Sequence, residues 1–346
     1  MKVAIITDQH FGARKNSKLF HDFFLEFYEN IFFPTLEKEG ITTVIDMGDT
    51  FDNRTGINFS ALSWAKKNYY DRLRDMGVKV YTIVGNHTAY YKNTNDINAV
   101  DLLLREYENV WVIPEYQEHE IGGLNIAMVP WINCENQDST YNSLKNTLCP
   151  VVMGHLELQG FYANTYHMME HGADRKVYQK FEKVFSGHYH HRSTEDNIHY
   201  LGNPYEIYWN DLDDVRGFHI FDTETLETQA VDNPYKMFYK IYYNDDKHQL
   251  LDASVYKNKI VKLIVRNKTN PKDFEKYIDK LLDSGLADLK IVENFAITEN
   301  VDFDVEQSED TLAILSRYLD ESETNIDKDT AKEIIKNIYQ EACEVI

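Results

Sequence analysis

Short apolar runs ending in polar residues alternate with longer amphipathic stretches through the first hundred residues. Residues 3–8 (VAIITD) predict a buried strand that ends in Asp, and 17–38 predict a helix stopped by Gly40. TTVIDMGD at 42–49 predicts the next strand, 58–76 a helix ended by Gly77, and VKVYTIVGNH at 78–87 a third strand. Residues 96–106 predict another helix. Strands alternating with helices are the pattern of an α/β chain.

Beyond residue 106 the pattern becomes strand-rich. Strands are predicted near 110–113, 124–130, 150–154, 183–187, 197–201 and 217–222, with a helix at 138–147. This predicts two stacked mixed β-sheets in one domain, with helices on the outside. A boundary falls near 228–236. KIYYND, IVKLIVRN, a helix at 271–284 and ADLKIVENF then form a small β-α-β unit. The predicted division is 1–228, 229–296, an acidic linker at 297–310 and a helical tail at 311–346. The tail carries two short amphipathic helices, near 310–320 and 326–342, which want a groove or a helical partner.

The chain's 346 residues suffice for one large domain with additions, and 43% hydrophobic content argues against global disorder. A formal charge of -21 argues against a freestanding DNA binder held by a basic surface. It is compatible with bound divalent cations and with a basic partner. Cys134, Cys149 and Cys343 include no close pair, so neither a zinc knuckle nor a disulfide framework is expected. Met-Lys runs straight into a strand, which predicts no signal peptide, and no stretch is apolar enough to span a bilayer. The expected location is cytoplasmic. No dinucleotide fingerprint or Walker motif is present, so the chain itself is expected to bind no nucleotide.

The chemistry gathers at strand ends. Five clusters each follow an apolar run: Asp8-Gln9-His10, Gly48-Asp49, Gly85-Asn86-His87, Gly154-His155 and Gly187-His188-Tyr189-His190. Polar groups beyond the carboxyl ends of strands converge on a cleft, and glycine beside them permits close approach of backbone. Asp8, His10, Asp49, Asn86, His155, His188 and His190 together form a carboxylate, imidazole and amide set suited to two divalent cations. His87 directly follows one proposed ligand and could reach substrate. Arg14, Lys15, Lys18 and Arg54 lie near the expected cleft mouth, with Phe161, Tyr162, His167 and His171 as further candidates for substrate contact.

In order, these clusters resemble the D-x-H, G-D-x-x-D, G-N-H, G-H and G-H-x-H motifs of the calcineurin-like metallophosphoesterases. The second is Gly48-Asp49-Thr50-Phe51-Asp52 here. Within that superfamily the chain resembles the SbcD-type nuclease subunits, particularly those of tailed phages. Trp131 after Pro130, Ser186-Gly187-His188-Tyr189-His190, and Tyr200-Leu201-Gly202-Asn203-Pro204 closing on Arg216-Gly217-Phe218 support this. The resemblance spans 1–222, with 230–346 consistent as a capping domain and a partner-binding tail.

The resemblance implies a four-layer fold and a metal-dependent nuclease acting on double-stranded ends from 3′ to 5′ and within single strands. It implies that Asp8, His10, Asp49 and His190 hold one cation, and Asp49, Asn86, His155 and His188 the other. Asp49 would bridge. His87 would contact the scissile phosphate or protonate the leaving oxygen, and Asp52 would orient His87 by a hydrogen bond. Mn²⁺ is the expected metal, with Mg²⁺ the alternative. The implied partners are DNA, a second copy of the chain, and an ABC-type ATPase whose long coiled coil the tail would grip; ATP would enter only through that subunit. No membrane partner is expected. A phage protein of this kind would act in DNA recombination, repair and replication in the host cytoplasm.

Two departures stand out: Thr88 where many relatives carry Asp, and Asn203 where they often carry Ser or Thr. Two rival readings remain. One is a phosphatase or small-molecule phosphodiesterase on the same scaffold, although Asn53-Arg54 after Asp52 breaks the phosphatase-like G-D-x-x-D-R-G. The other is a mainly structural subunit that docks an ATPase to DNA.

Overall fold

The computed structural model describes residues 1–164, 167–245 and 252–293, with isolated positions at 319, 328, 331, 332 and 334. The chain divides into two units, Met1–Glu293 and Asn294–Ile346. The expected acidic linker and helical tail lie outside the described residues, apart from those isolated positions.

Seventeen strands are described, all within the first unit. They are β1 (Lys2–Ile6), β2 (Thr43–Asp46), β3 (Lys79–Ile83), β4 (Val110–Ile113), β5 (Gln117–Ile121) and β6 (Leu124–Val129). Next come β7 (Val151–His155), β8 (Tyr162–Asn164), β9 (His167–Met168), β10 (Lys183–Gly187), β11 (Ser193–Glu195) and β12 (Ile198–Tyr200). The last are β13 (Gly217–Asp222), β14 (Thr228–Asp232), β15 (Phe238–Asn244), β16 (Ile260–Asn267) and β17 (Asp288–Glu293). The first sheet runs β14-β13-β1-β2-β3-β4 and the second β11-β12-β10-β7-β6-β5. Both are mixed. Four strands in each are parallel, with antiparallel strands at the margins.

The layers follow from alternation. Val3, Ile5, Ile45, Met47 and Ile83 of the first sheet pack against Ile126, Met128, Val151, Met153 and Phe185 of the second. The opposite-facing residues of the first sheet, Ala4, Ile6, Val44 and Val80, pack under the helices. Those of the second, Ala127, Val152 and Val184, meet Leu144 of the helix Gln137–Asn146. Two central sheets flanked by helices are the expected four layers.

The helix predicted over 17–38 is three consecutive pieces, Lys18–Phe27, a π turn Tyr28–Phe32, and Phe33–Glu39. Pro34, which has no N–H to give, is the second residue after the π turn; inserting such a turn is one way a helix accommodates the missing bond. Gly40 closes the run in the left-handed region, at φ 64°.

β14 pairs antiparallel with β13, so the first sheet crosses the expected junction at 228–229. The unit beyond it is an all-parallel three-stranded sheet, β15-β16-β17. The helix Pro271–Asp283 covers one face through Phe274, Tyr277 and Leu281, against Tyr243, Val261, Leu263 and Val265. Phe238 and Ile260 join the main core instead, which seats this small sheet on the larger body.

Candidate metal centre

Asp8 and His10 follow β1, Asp49 follows β2, and Asn86 and His87 follow β3, all in the first sheet. His155 ends β7, and His188 and His190 follow β10, in the second. The two sheets therefore present their carboxyl-terminal strand ends to one another. The turns are tight. Asp8, His10, Asp49 and His188 have φ of 53°, 47°, 50° and 85°, a region that costs a non-glycine residue energy and recurs at functional sites. Glycine is required for contact as well as for conformation. A methyl at Gly85 would overlap the Asp49 carboxylate, and one at Gly187 would overlap Thr7 and press on Asp8.

All seven proposed ligands converge. Asp8, His10 and His190 bring one donor atom each within 4.8 Å of the others, and so do Asp49, His155 and His188. His10, Asp52 and His87 form a third such group. His10 Nε2 lies 3.0 Å from His190 Nε2. Asn86 Oδ1 lies 3.0 Å from both His155 Nε2 and His188 Nδ1, and Asp49 Oδ2 lies 3.1 Å from His155 Nε2. His155 Nδ1 donates to the Met47 carbonyl at 2.9 Å, which aims Nε2 into the cluster.

Divalent cations fit this donor set. Donor atoms 3.0 Å apart suit neighbouring positions around a cation whose bonds are about 2.1 Å and at right angles. Electrostatics agree. Burial raises the Asp8 carboxyl. Burial also works to raise Asp49, but the imidazoles of His155, His87 and His10 outweigh it and hold that carboxyl well below the usual range. Burial opposes charge on His155, yet Asp49 and Asp8 push it up to about 9. Burial and the charge on His155 bring His188 down to about 3, and burial with His10 holds His190 well below the usual imidazole range. Buried carboxylates thus draw positive charge, while two imidazoles are kept neutral as donors. Together these make two metal-binding triads, as a two-metal phosphoesterase site requires.

His87 sits at the edge of this set. Its Nδ1 donates to the Asp52 backbone carbonyl at 2.7 Å, and its backbone N–H donates to Asp49 Oδ1 at 2.8 Å. The orienting bond therefore comes from the Asp52 main chain. The Asp52 carboxylate lies 3.3 Å from His10 Nδ1 instead. Thr88 is fully buried, and its hydroxyl accepts from the Gly85 N–H at 3.0 Å, holding the turn that presents Asn86 and His87. Asn203 accepts from the buried Arg216 guanidinium and donates to the Tyr205 carbonyl.

Beneath the ligands lies a polar layer that motif reading did not resolve. Asp46 accepts from Gln9 Nε2 at 2.9 Å, from Thr50 Oγ1 at 2.6 Å and from the Gly48 N–H at 3.3 Å. Tyr28 donates to the Gln9 side chain and Tyr205 to its carbonyl. Burial pushes Asp46 up to about 7. The signal available in the sequence was a lone carboxylate in the otherwise apolar TVID run. Arg216 forms a second support. It donates to the His190 carbonyl and pairs with Asp211 at 3.1 Å and Asp214 at 2.8 Å.

The outlying candidates divide. Arg14 and Lys15 are exposed on a left-handed turn, with φ of 56° and 59°. Arg14 lies over the rings of Phe20 and Tyr208, and Tyr208 stacks with His190. Lys18 pairs with Asp22 and Arg54 is half-buried. Phe161 is buried against Tyr200, so it is not free for substrate contact, whereas Tyr162 is exposed. His171 is exposed, and the His167 side chain lies outside the described residues. Cys134 and Cys149 are free thiols.

The chain is similar to several known proteins. Exonuclease subunit 1 of Enterobacteria phage T4 is 30% identical over 310 residues, spanning 89% of this chain and 87% of the relative. Among solved structures, a novel archaeal phosphodiesterase aligns at a TM-score of 0.36 and 15% identity, over 67% of this chain and 100% of that one. A dimetal phosphatase from Danio rerio aligns at 0.35 and 10% identity, over 64% and 91%. The model of the calcineurin-like phosphoesterase family matches residues 1–192, and with its motifs, layers and triads in place the chain belongs to that family of metal-dependent phosphoesterases.

Proposed function

We propose that this chain is a Mn²⁺-dependent DNA nuclease that hydrolyses phosphodiesters at duplex ends and within single strands. One observation carries the reading: a site with two metal-binding triads lies in a chain that matches, over 89% of its length, a relative named as an exonuclease subunit.

In this reading Asp8, His10, Asp49 and His190 would hold one cation, and Asp49, Asn86, His155 and His188 the other. Divalent cations held there supply Lewis acidity toward the phosphate and neutralise its charge. The chain's own residues do the rest. His155 is fixed by Met47, and Asp49 by the His87 N–H, so the donors do not reorganise as charge develops. His87 spends Nδ1 on the Asp52 carbonyl, which leaves Nε2 for substrate. When water adds to phosphorus it gives up a proton, and as the P–O bond to the leaving sugar oxygen breaks the His87 Nε2–H gives that oxygen a proton, the one lost by the water restoring the imidazole. Exposed Arg14 and Lys15 meet flanking phosphates. The three-stranded sheet serves as a cap, the residues after it grip an ABC-type ATPase, and the nuclease works as a dimer in DNA recombination and repair.

The test is digestion of end-labelled duplex DNA in Mn²⁺ by wild type, Asp49→Ala and His87→Ala. Wild type should digest it, Asp49→Ala should lose all measurable activity, and His87→Ala should fall at least a hundredfold with Mn²⁺ affinity retained. Failure of wild type on DNA alongside hydrolysis of a small phosphodiester would sink the nuclease reading and keep the phosphoesterase.

A further inference from the structure

The sequence carries a second pair of motifs that supply no proposed ligand. Tyr200-Leu201-Gly202-Asn203-Pro204 begins at the end of β12, and Arg216-Gly217-Phe218 leads into β13. They meet at one atom, the main-chain carbonyl oxygen of His190. Arg216 Nη1 donates to it, and so does the Asn203 N–H at 3.3 Å. Gly202 is required by this approach, since a methyl there would stand 2.7 Å from the same oxygen. Nη1 also donates to Asn203 Oδ1. Nη2 is held by Asp211 Oδ1 at 3.1 Å and by Asp214 Oδ2 at 2.8 Å. Asp211 is itself fixed, because its Oδ2 accepts from the Ile207 and Tyr208 N–H groups at 2.7 and 2.8 Å. Arg216 is buried with these partners. A planar guanidinium can give one nitrogen to two carboxylates and the other to a carbonyl, whereas an ammonium is a single point of charge.

The other proposed donors are braced elsewhere. His155 gives Nδ1 to the Met47 carbonyl, and His10 Nδ1 lies 3.3 Å from the Asp52 carboxylate. The His188 N–H donates to Asp8 at 3.0 Å. Asp8 and His10 flank Gln9, which is tied to Asp46. His190 is placed differently. Its Nε2 faces His10 at 3.0 Å, and its hydrogen-bonded anchor is the carbonyl that Arg216 holds. Its ring stacks with Tyr208 at a centroid distance of 6.5 Å, and the Tyr208 main chain hangs from Asp211. Both supports of this imidazole therefore run through the ion-paired network.

We propose that Arg216 is a positioning residue for His190, and that with Asn203, Asp211 and Asp214 it sets the affinity of one cation position separately from the other. A donor serves a cation when it is held within about 0.5 Å of the productive geometry. Loss of the Arg216 fork frees the His190 backbone while Asp8 and His10 keep their own brace, so the cation shared by these three loosens. The position formed by Asp49, Asn86, His155 and His188 draws on other anchors and stays. The inference rests on His190 serving the same cation as Asp8 and His10, and not on DNA being the substrate.

The experiment follows Mn²⁺ binding to metal-free protein by calorimetry and electron paramagnetic resonance, in wild type, His190→Gln, Arg216→Lys and Asp214→Asn. Circular dichroism checks each fold. Wild type should bind two Mn²⁺ and show the spectrum of a coupled pair. Arg216→Lys should bind one Mn²⁺ as wild type does and the other about 10–100-fold more weakly. At limiting metal its spectrum should be that of an isolated ion, as in His190→Gln, and saturating Mn²⁺ should restore the coupled pair. Asp214→Asn leaves Arg216 paired with Asp211 alone, a balanced buried pair. It should weaken the same cation to a smaller extent, and it carries the test if the Lys variant does not fold. Two unchanged affinities in a folded variant overturn the proposal and make Arg216 a strut between β12 and β13. Equal weakening of both cations overturns it too, because the network would then support the whole centre. A wild type that binds fewer than two Mn²⁺ removes the assignment of His190 and the proposal with it. Failure to digest DNA while two Mn²⁺ bind would sink the nuclease reading and leave this proposal standing.

Discussion

A single carboxylate ties together the loops that carry the ligands. Gln9 sits between Asp8 and His10, and Thr50 follows Asp49; both donate to Asp46 Oδ2. Four of the proposed donors stand on strained turns, so the turns need an internal brace. Asp46→Ala leaves the Gln9 amide and the Thr50 hydroxyl buried without their acceptor, at about 1–3 kcal/mol each. The expected result is a Mn²⁺ affinity lowered about 10–100-fold by calorimetry, with the fold intact by circular dichroism. Affinity equal to wild type would make Asp46 a packing residue. Thr88 works similarly within its own turn. Thr88→Val keeps the shape and orphans the Gly85 N–H, so urea denaturation should report a loss of about 1–3 kcal/mol.

At the scale of elements, β13 carries a buried titratable group far from the ligands in sequence. Burial, with Arg192 nearby, brings His219 down to about 3. Its folded pKa is depressed, so its contribution to stability is fully present above the unfolded value near 6.5. That contribution is lost as pH falls from there toward 3, where the unfolded chain binds the extra proton. The slope this residue adds is at most about 1.4 kcal/mol per pH unit. His219→Gln should therefore flatten the stability–pH curve between pH 6.5 and 4, measured in chelator by urea denaturation. An unchanged slope would mean that His219 titrates normally. β13 itself was legible in the sequence because GFHIFD is apolar and bounded by glycine. So were β1, β2, β3, β7 and β10, whose buried runs end at polar residues, and with them the seven proposed donors that the fold brings together. β5, β11 and β14 were not. QEHEI, STE and TQAVD are short, polar and marginal in their sheets, and pairing rather than side-chain burial holds them there. The Asp52 contact to His87 was expected, but not the atom that makes it. It is made by a carbonyl, which every residue possesses and no motif records.

Across the whole molecule the centre is a seam between layers. Asp8, His10, Asp49 and Asn86 come from the first sheet, and His155, His188 and His190 from the second. Each triad mixes the two sources. Apolar packing of Ile45, Met47, Met153 and Phe185 already joins the sheets below the site, and at the strand ends the first sheet's buried carboxylates Asp8 and Asp49, which raise one another's cost of ionisation, face the second sheet's imidazoles. A cation held by either triad would offset the carboxylate charge and tie donors of the two sheets together. Binding to the folded state alone stabilises by about 2.7 kcal/mol at a metal concentration a hundred times Kd. For a body of this size that corresponds to a rise in Tm of about 4 °C. Melting should therefore shift upward on adding Mn²⁺ and return on adding chelator. Asp49→Ala should lose most of the shift, because Asp49 contacts His155 of the second sheet and the His87 backbone of the first. A wild-type Tm indifferent to Mn²⁺ would mean that the sheets are held by apolar packing alone.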